Sequence, residues 1–248
     1  MRRETLVEYL ESLLQPAKFR DYCPNGLQVE GAAEVRRIVA GVSASQALLD
    51  AAVARQADTI LVHHGYFWKG EDGRVTGIRK NRLKSLLVNE INLLAYHLPL
   101  DAHPDLGNNA QLAARLGWLP EGRFAEQDIA WFGRLPAALD TAALAAQLAR
   151  QLGRQPLVIG EASRPIRRIG WCSGGAQGYF EQAIALGLDA YVSGEISEPT
   201  VHLARESGVV YFAAGHHASE RFGVQSLAAH LAARFDLECE FVDIDNPV

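Results

Sequence analysis

The stretch Ile60-Leu61-Val62-His63-His64-Gly65 joins an apolar run, typical of a buried strand, to two adjacent histidines and a glycine. In open α/β sheets, ligands bind just beyond the carboxyl ends of the strands, where this order places both imidazoles. Successive strand residues point to opposite faces, so adjacent histidines reach one spot only if the strand has ended and the backbone is turning. Gly65 permits that turn because it lacks a Cβ. The stretch therefore predicts an α/β sheet with a ligand site at this strand end.

A second strand end of the same kind lies far downstream. The apolar run Val209-Val210-Tyr211-Phe212-Ala213-Ala214 leads into Gly215-His216-His217, and Glu220 follows one helical turn after His216. We expect the two strand ends to meet and to hold metal. His217 is expected to lie outside the ligand set, where it either supports that set or faces solvent.

Composition places the chain among ordinary globular proteins, since 21% of its residues are charged and 48% are hydrophobic. The net charge of -5 argues against a dominant nucleic-acid surface, because such surfaces are basic. Three scattered cysteines without CxxC spacing, Cys23, Cys172 and Cys239, fit reduced cytosolic thiols. The charged N-terminal segment does not resemble a signal peptide, and no apolar run of ~18 residues is present. We therefore predict a cytoplasmic protein with no membrane partner.

Strands alternate with helices along the chain, which indicates βαβ units and a largely parallel or mixed sheet. The predicted strands are 35–42, 58–62, 91–96, 128–133, 157–159, 167–172, 189–193, 209–214 and 237–243. The predicted helices are 4–14, 45–56, 79–89, 108–117, 140–152, 178–187, 198–207 and 221–234. We interpret residues 118–164 as a connecting module. The predicted division is a first α/β unit, 1–120, and a second part, 121–248, made of the connecting module and a second α/β unit.

The two halves share an order of features that indicates an internal duplication. An offset of 131 positions aligns Arg36-Arg37-Ile38 with Arg167-Arg168-Ile169, Asp58 with Asp189, and His64 with Glu195. An offset of 119 then aligns His97 with His216, and Asp101 with Glu220. In a pseudo-symmetric pair of units, corresponding strand ends can face each other across a cleft. The prediction is therefore two related α/β units with a metal site in the cleft between them.

The strand ends together offer three imidazoles and two carboxylates, from His63, His64, Asp101, His216 and Glu220. That is more than one four-coordinate structural zinc needs, and mixed nitrogen and oxygen ligands suit manganese, iron, cobalt, nickel or zinc. Two metals ~3.5–4 Å apart, bridged by a carboxylate, can activate a water and polarise the group that it attacks. Either carboxylate could bridge. Glu220 is favoured because residues four apart share a helix face, which pairs it with His216.

Alternatives stay open for several of these positions. The pair His63-His64 could simply cap backbone groups. His97 could be a ligand, a proton shuttle or a buried core imidazole, and Glu195 could reach the cleft or stay on the surface; we take both as candidate catalytic residues. The aromatic residues 66–68 could stack on a planar ring or pack in the core.

Two further features have structural interpretations. The pair Gly174-Gly175 could receive an anion at a helix N-terminus, but we interpret it as a plain tight turn. The basic cluster Arg79, Lys80, Arg82 and Lys84 is interpreted as a solvated helix face in preference to a phosphate-binding patch.

Four motifs occur in a specific order along the chain. They are Asp21-Tyr22-Cys23-Pro24-Asn25-Gly26-Leu27-Gln28-Val29-Glu30-Gly31, His63-His64-Gly65, His97-Leu98-Pro99-Leu100-Asp101 and Gly215-His216-His217-Ala218-Ser219-Glu220. Together they resemble the motifs of the GTP cyclohydrolase I type 2 homologues, the NIF-three-like family, over essentially the whole chain. The resemblance implies a dinuclear centre with two divalent ions per subunit, the five residues above as ligands, and the last carboxylate bridging. It also implies a toroidal homohexamer with the metals inside the ring.

Three functions are compatible with these features. The first, which we prefer, is a metal-dependent hydrolase acting on a small molecule, a nucleotide or a related nitrogen heterocycle, with His97 moving protons and Glu195 positioning substrate. The second is a non-enzymatic metal-binding scaffold or regulatory hexamer. The third, nucleic-acid binding through a ring lumen, is weakened by the acidic net charge.

Overall fold

The computed structural model describes residues 1–161 and 165–248, and the chain divides into two compact units. In the described ranges, no helix has the length and apolar character needed to cross a membrane. The first unit consists of Met1–Gly107 and Gly223–Asp245, and the second of Asn108–Phe222 and Asn246–Val248. The predicted division after residue 120 differs from this one, because the last strand of the chain pairs with the sheet of the first unit.

A five-stranded sheet with helices on both faces forms the first unit. Its elements before residue 108 are α1 (Arg3–Leu14), β1 (Gly26–Val29), β2 (Arg37–Ser43), α2 (Gln46–Ala54), β3 (Thr59–His64), α3 (Gly77–Val88), β4 (Asn92–Ala95) and α4 (Leu98–Ala102). Strands β2, β3 and β4 are parallel, and β1 is antiparallel to β4 at one edge.

The apolar run of β3 is continuous because both faces of this sheet are covered. Alternate strand residues point to opposite faces. Leu61 packs in a cluster with Leu6 of α1, whereas Ile60 packs in another cluster with Leu48 of α2.

The second unit contains a six-stranded sheet in the order β5-β6-β8-β9-β10-β7. Its elements are α5 (Asn108–Leu116), β5 (Leu119–Phe124), β6 (Ala130–Leu139), α6 (Thr141–Leu152), β7 (Leu157–Ile159), β8 (Ile166–Cys172), α7 (Phe180–Ala185), β9 (Ala190–Ser193), α8 (Glu198–Ser207) and β10 (Val210–Ala213). Strands β8, β9 and β10 are parallel, while β6 and β7 are antiparallel to β8 and β10. The leucines of α6 at positions 144, 148 and 152 enter the core on one helix face.

The last two elements complete the chain. Helix α9 (His216–Phe235) begins in the second unit and ends in the first. Strand β11 (Glu238–Phe241) then pairs parallel with β2, which gives the first sheet the order β1-β4-β3-β2-β11.

Both units repeat one series of elements, which confirms the predicted pair of related α/β units. The series is a helix, an edge strand antiparallel to the third parallel strand, and three parallel strands: α1-β1-β2-β3-β4 and α6-β7-β8-β9-β10. The interpretation of 118–164 as a connecting module was therefore wrong for α6 and β7, which belong to the repeat. Strand β7 has only three residues and pairs with a strand about fifty positions away, a pairing that local sequence does not reveal. Residues 162–164 of that module lie outside the described residues.

In each unit, one aspartate carboxylate links the starts of the first and second parallel strands. Asp58 Oδ2 accepts hydrogen bonds from the backbone N–H groups of Arg36-Arg37 at 2.7 and 2.9 Å. Asp189 Oδ2 accepts the corresponding pair from Arg167-Arg168, both at 2.9 Å. In each unit the aspartate precedes the second parallel strand and holds the start of the first.

We expect Asp58→Ala and Asp189→Ala each to lower the free energy of unfolding by roughly 1 to 2 kcal/mol, because two N–H donors lose their shared acceptor. Urea unfolding followed by circular dichroism measures the change. Glu206→Ala, at an exposed position of α8, is the control and should cost less than about 0.5 kcal/mol. If Asp189→Ala lowered the free energy of unfolding by no more than the control does, the equivalent roles of Asp58 and Asp189 would be contradicted.

Three differences from the predicted elements concern the histidine-bearing segments. Strand β3 continues through His63 and His64, because its pairing with β2 extends as far as Ser43. Helix α9 begins at His216 and not at residue 221, so the apolar spacing used for the prediction starts one turn inside the helix. The segment after His97, where no helix was predicted before residue 108, contains the short helix α4, whose proline is tolerated in the first turn.

Candidate metal centre

Strand β3 delivers two imidazoles to one end of the first sheet. The ring centroids of His63 and His64 lie 4.6 Å apart, although both residues belong to the strand. His63 Nδ1 donates to the backbone carbonyl of Tyr96 at 2.9 Å, and His64 Nδ1 lies 3.0 Å from Ser43 Oγ. These bonds tie one ring to the end of β4 and the other to β2. The rings therefore come together without the turn that the sequence led us to expect.

Helix α4 places a buried carboxylate beside these rings. Asp101 is 5% exposed, and its Oδ1 lies 3.5 Å from His63 Nε2. Because the Tyr96 carbonyl holds Nδ1 of His63, Nε2 is the nitrogen that faces the carboxylate. Gly107 lets the chain turn tightly after α4, since a Cβ there would lie 2.9 Å from the Asp101 carbonyl oxygen.

A hydrogen-bond network around Asp21 holds His97 against the same pair. His97 Nδ1 donates to Asp21 Oδ1 at 2.7 Å, and the His97 backbone N–H donates to Asn25 Oδ1 at 2.7 Å. Asn25 Nδ2 in turn donates to Asp21 Oδ2 at 2.8 Å. The His97 ring centroid lies 5.1 Å from that of His63 and 5.7 Å from that of His64. His97 therefore lines the site, and Asp21 is a positioning residue to which sequence reasoning gave no role.

Three histidines of the first unit are close enough to share an ion. One ring nitrogen from each of His63, His64 and His97 lies within 4.8 Å of the others. Cys23 lies near Asp21 and His97, but burial and the nearby Asp21 charge raise the pKa of its thiol to about 12. The thiolate is the form that binds metal, so we leave Cys23 out of the ligand set.

The pKa of the Asp21 carboxyl is governed by burial, which raises it, and by hydrogen bonds from His97, Asn25 and Tyr22, which outweigh burial and lower it. A carboxyl with a depressed folded-state pKa stabilises the fold above its unfolded value, and that contribution is lost as the pH falls through the folded pKa. We expect Asp21→Asn to lower the free energy of unfolding by roughly 2 kcal/mol at pH 7.

Urea titrations from pH 7 down to pH 3 test this dependence, with exposed Asp50→Asn as the control. The difference between wild type and Asp21→Asn should shrink as the pH is lowered below the ordinary value of 3.8. An equal loss at every pH would show that the ionised carboxylate is not the stabilising form.

In the second unit one histidine lies between two carboxylates. His216 Nδ1 donates to Glu195 Oε1 at 2.7 Å, and His216 Nε2 lies 3.1 Å from Glu220 Oε2. Burial lowers the pKa of His216, but hydrogen bonds and charge from Glu220 and then Glu195 outweigh it and raise the pKa to about 9. Two carboxylates that favour a proton this strongly would also favour a divalent cation at the same imidazole. Glu195 thus reaches the predicted site, where it contacts a histidine.

A glycine turn packs against these carboxylates. Gly174 has a φ of +66°, and a Cβ there would lie 2.0 Å from Glu220 Oε1 and 3.3 Å from His216 Nε2. The Gly174 N–H donates to Ser219 Oγ at 3.0 Å, and that hydroxyl donates to the His216 carbonyl at 2.9 Å. The turn predicted at Gly174-Gly175 therefore also packs against Glu220 and limits where its carboxylate can lie.

Each unit thus brings together the residues predicted within it. The first unit assembles His63, His64, His97 and Asp101, and the second assembles His216, Glu220 and Glu195. His217 is half-buried, and its backbone N–H donates to the carbonyl of Val248 at 3.0 Å.

Comparisons with known proteins agree over the full length of the chain. The model of the Duf34/NIF3 (NGG1p interacting factor 3) family matches residues 1–247. A GTP cyclohydrolase 1 type 2 homolog of Pseudomonas aeruginosa is 57% identical over 246 residues, which cover 98% of this chain and 97% of the relative. The solved structure of the protein ybgI, of unknown function, matches with a TM-score of 0.98 and 48% identity, covering 100% of both chains. A solved protein of Thermus thermophilus matches with a TM-score of 0.91 and 36% identity, again covering 100% of both.

Proposed function

Because the chain belongs to the Duf34/NIF3 family, we propose that it is a metal-dependent hydrolase acting on a nucleotide or a related nitrogen heterocycle. Two divalent ions per chain would be held by His63, His64, Asp101, His216 and Glu220. The proposal joins the set of the first unit and the set of the second into one dinuclear centre.

One observation carries the proposal: every proposed histidine ligand has its Nδ1 engaged. The partners are the Tyr96 carbonyl for His63, the Ser43 hydroxyl for His64 and the Glu195 carboxylate for His216. Metal-binding histidines commonly use one ring nitrogen for the ion and the other for such a partner, which fixes the tautomer and raises the basicity of the ligand. In His63 and His216, Nε2 also faces a proposed carboxylate ligand.

The donor chemistry fits a pair of first-row divalent ions. Imidazole and carboxylate ligands suit iron, manganese, zinc, nickel or cobalt. Gly174 supports the fit, because the absence of a Cβ there leaves room for the Glu220 carboxylate beside His216. When bound, the two ions would supply Lewis-acid chemistry, lowering the pKa of a water and polarising the group under attack.

The remaining residues of the site have roles in proton transfer and in positioning. His97, held at Nδ1 by Asp21, would carry a proton at Nε2, in the manner of an imidazole oriented by a carboxylate. Glu195 was predicted to position substrate. We assign it instead to orienting His216, because its Oε1 accepts the hydrogen bond from Nδ1 of that ring.

Metal content and hydrolysis together test the proposed function. The chain is stripped with a chelator, reloaded with Mn²⁺ or Zn²⁺ and analysed by plasma mass spectrometry, and we expect two ions per chain. The loaded protein is then screened against nucleotides, nitrogen heterocycles and phosphoesters beside Glu220→Ala. Hydrolysis that the variant lacks supports the enzyme. Two bound ions without such hydrolysis favour the metal-binding scaffold. Fewer than one ion per chain would contradict both the hydrolase and the scaffold.

The toroidal homohexamer implied by the family resemblance is a separate part of the proposal. Sedimentation analysis should give a single species of six times the mass of the 27.1 kDa chain. A monomer or dimer at micromolar concentration would contradict this part and leave the metal centre to its own test.

A further inference from the structure

A pocket of about 260 Å³ lies next to His64 in the first unit. Its lining residues are Gly65, Tyr66, Trp68, Glu71, Ile78, Arg79 and Arg82. We propose that this Trp68–Arg82 pocket binds a nucleoside monophosphate, with the base on Trp68 and the phosphate on Arg82. The inference rests on the proposed function, since it names the substrate class of the same site.

The aromatic wall of the pocket is held in place by hydrogen bonds. Gln28 Oε1 accepts from the Tyr66 N–H at 2.7 Å, and Gln28 Nε2 donates to the Tyr66 carbonyl at 3.1 Å. The Tyr66 hydroxyl donates to the Ala44 carbonyl at 2.8 Å, and Trp68 Nε1 donates to the Gly65 carbonyl at 3.2 Å. A ligand would therefore meet a preorganised surface and lose little binding energy in ordering it.

Trp68 connects the pocket to the histidines. Its ring centroid lies 5.0 Å from that of His97 and 5.9 Å from that of His64. A planar ring lying on the indole would thus have one end next to a proposed metal ligand. Base–aromatic stacking tolerates any base, because every base has a π-face.

Arg82 brings a positive charge that forms no ion pair with any described carboxylate. Among the described residues, no carboxylate lies within 4.0 Å of its guanidinium nitrogens, and its buried Nε has no hydrogen-bond partner. The guanidinium carbon lies 6.0 Å from the centroid of the Tyr66 ring. Glu71 is paired with Arg79, so the lining keeps one positive charge. A guanidinium can bind a phosphate through two parallel hydrogen bonds.

The basic cluster of α3 thus has two parts. Lys80 and Lys84 are exposed, which agrees with the predicted solvated face. Arg79 and Arg82 line the pocket, because they lie three apart and share a helix face. The prediction of a solvated face was wrong for these two arginines, which are half-buried.

The contacts of Trp68 give the ligand a direction. Its ring adjoins those of His64 and His97, so a base stacked on it would lie next to the proposed metals while its phosphate binds Arg82. A volume of about 260 Å³ is near the lower limit for ligand pockets. It suits a mononucleotide better than a dinucleotide, which has a second nucleoside to accommodate.

Calorimetric titration of the metal-free protein tests the pocket. The four common nucleoside 5′-monophosphates, the matching nucleosides and inorganic phosphate are the probes. We expect at least one monophosphate to bind about tenfold or more tightly than its nucleoside. Arg82→Gln should abolish that preference, whereas Lys84→Gln, which removes the same charge from the exposed face of α3, should keep it. Trp68→Leu should weaken nucleotide and nucleoside alike by about tenfold.

Several outcomes would overturn the inference. One is undetectable nucleotide binding at millimolar concentration. Others are equal affinity for nucleotide and nucleoside, or equal effects of Arg82→Gln and Lys84→Gln on binding. The last is that inorganic phosphate binds as tightly as the nucleotide and that Trp68→Leu does not change its affinity. If Arg82→Gln does not fold, Arg82→Lys, which keeps the charge but loses the paired donors, should lower the preference severalfold. Because the titrations use metal-free protein, failure of the pocket is distinct from a failure to bind two ions, which would overturn the proposed function and, with it, the role of the pocket as its substrate site.

Discussion

Glu220→Ala is expected to lower the affinity for divalent metal by at least about a hundredfold and to leave one ion or none per chain. Losing a group that merely supports a ligand already costs about 10–100-fold in affinity, and Glu220 is proposed to bind both ions. Its side chain is buried, 3% exposed, with Oε2 3.1 Å from His216 Nε2. Plasma mass spectrometry after dialysis, with chelator competition for the affinity, measures both quantities.

The chain contains a matched control for this variant. Glu198 lies 2.9 Å from His202 with the same four-residue spacing on a helix, but both side chains are exposed, 81% and 59%. Glu198→Ala therefore removes a glutamate–histidine pair of the same spacing, in the reverse order along the helix, outside the site and should leave two ions bound. Retention of two ions at wild-type affinity by Glu220→Ala would contradict the bridging role.

A variant of the first unit tests whether the two sets form one centre. His63→Ala removes an imidazole whose Nε2 faces Asp101 at 3.5 Å. In a shared dinuclear centre, this loss should weaken the binding of both ions, as the loss of Glu220 does. If each variant removed only its own ion and left the other at full affinity, the units would hold separate sites.

The ligand residues could be predicted from sequence because each comes at or just after the end of an apolar run, and strand ends are where α/β sheets bind ligands. The way in which the rings converge could not. His63 and His64 stay within β3, and their Nδ1 atoms are held by Tyr96, just after β4, and by Ser43 of β2. That arrangement depends on the register that places Ser43 opposite His64, and register is a property of strand pairing.

The internal duplication could be predicted from the sequence, but only in part. Asp58 and Asp189 align at a fixed offset because each is followed by a parallel strand and accepts hydrogen bonds from the two backbone N–H groups at the start of the preceding one. The edge strands β1 and β7 repeat too, but they have four and three residues, and their pairing with β4 and β10 is not visible in the sequence. Asp21 was missed because it lies 76 positions from His97, and only the folded chain brings them together.

Gly174→Ala is expected to weaken metal binding almost as much as the loss of Glu220, although neither the glycine nor the new methyl group is a ligand. The added Cβ would lie 2.0 Å from Glu220 Oε1, so the carboxylate must leave its place beside His216. Because that oxygen is the end of a side chain that can rotate, the free energy of unfolding should fall by only about 1–2 kcal/mol, mostly from the left-handed φ. Metal analysis and urea unfolding of one preparation give both values.

Gly153→Ala separates the two causes. Gly153 has a φ of +74° at the end of α6, and a Cβ there would meet nothing within 4 Å. This control therefore carries the same backbone strain without the displaced carboxylate, and it should lose similar stability while keeping two ions. A Gly174→Ala chain that kept two ions at wild-type affinity would show that the position of Glu220 does not determine metal binding. Equal metal loss in both variants would trace that loss to backbone strain, because only strain is common to the two substitutions.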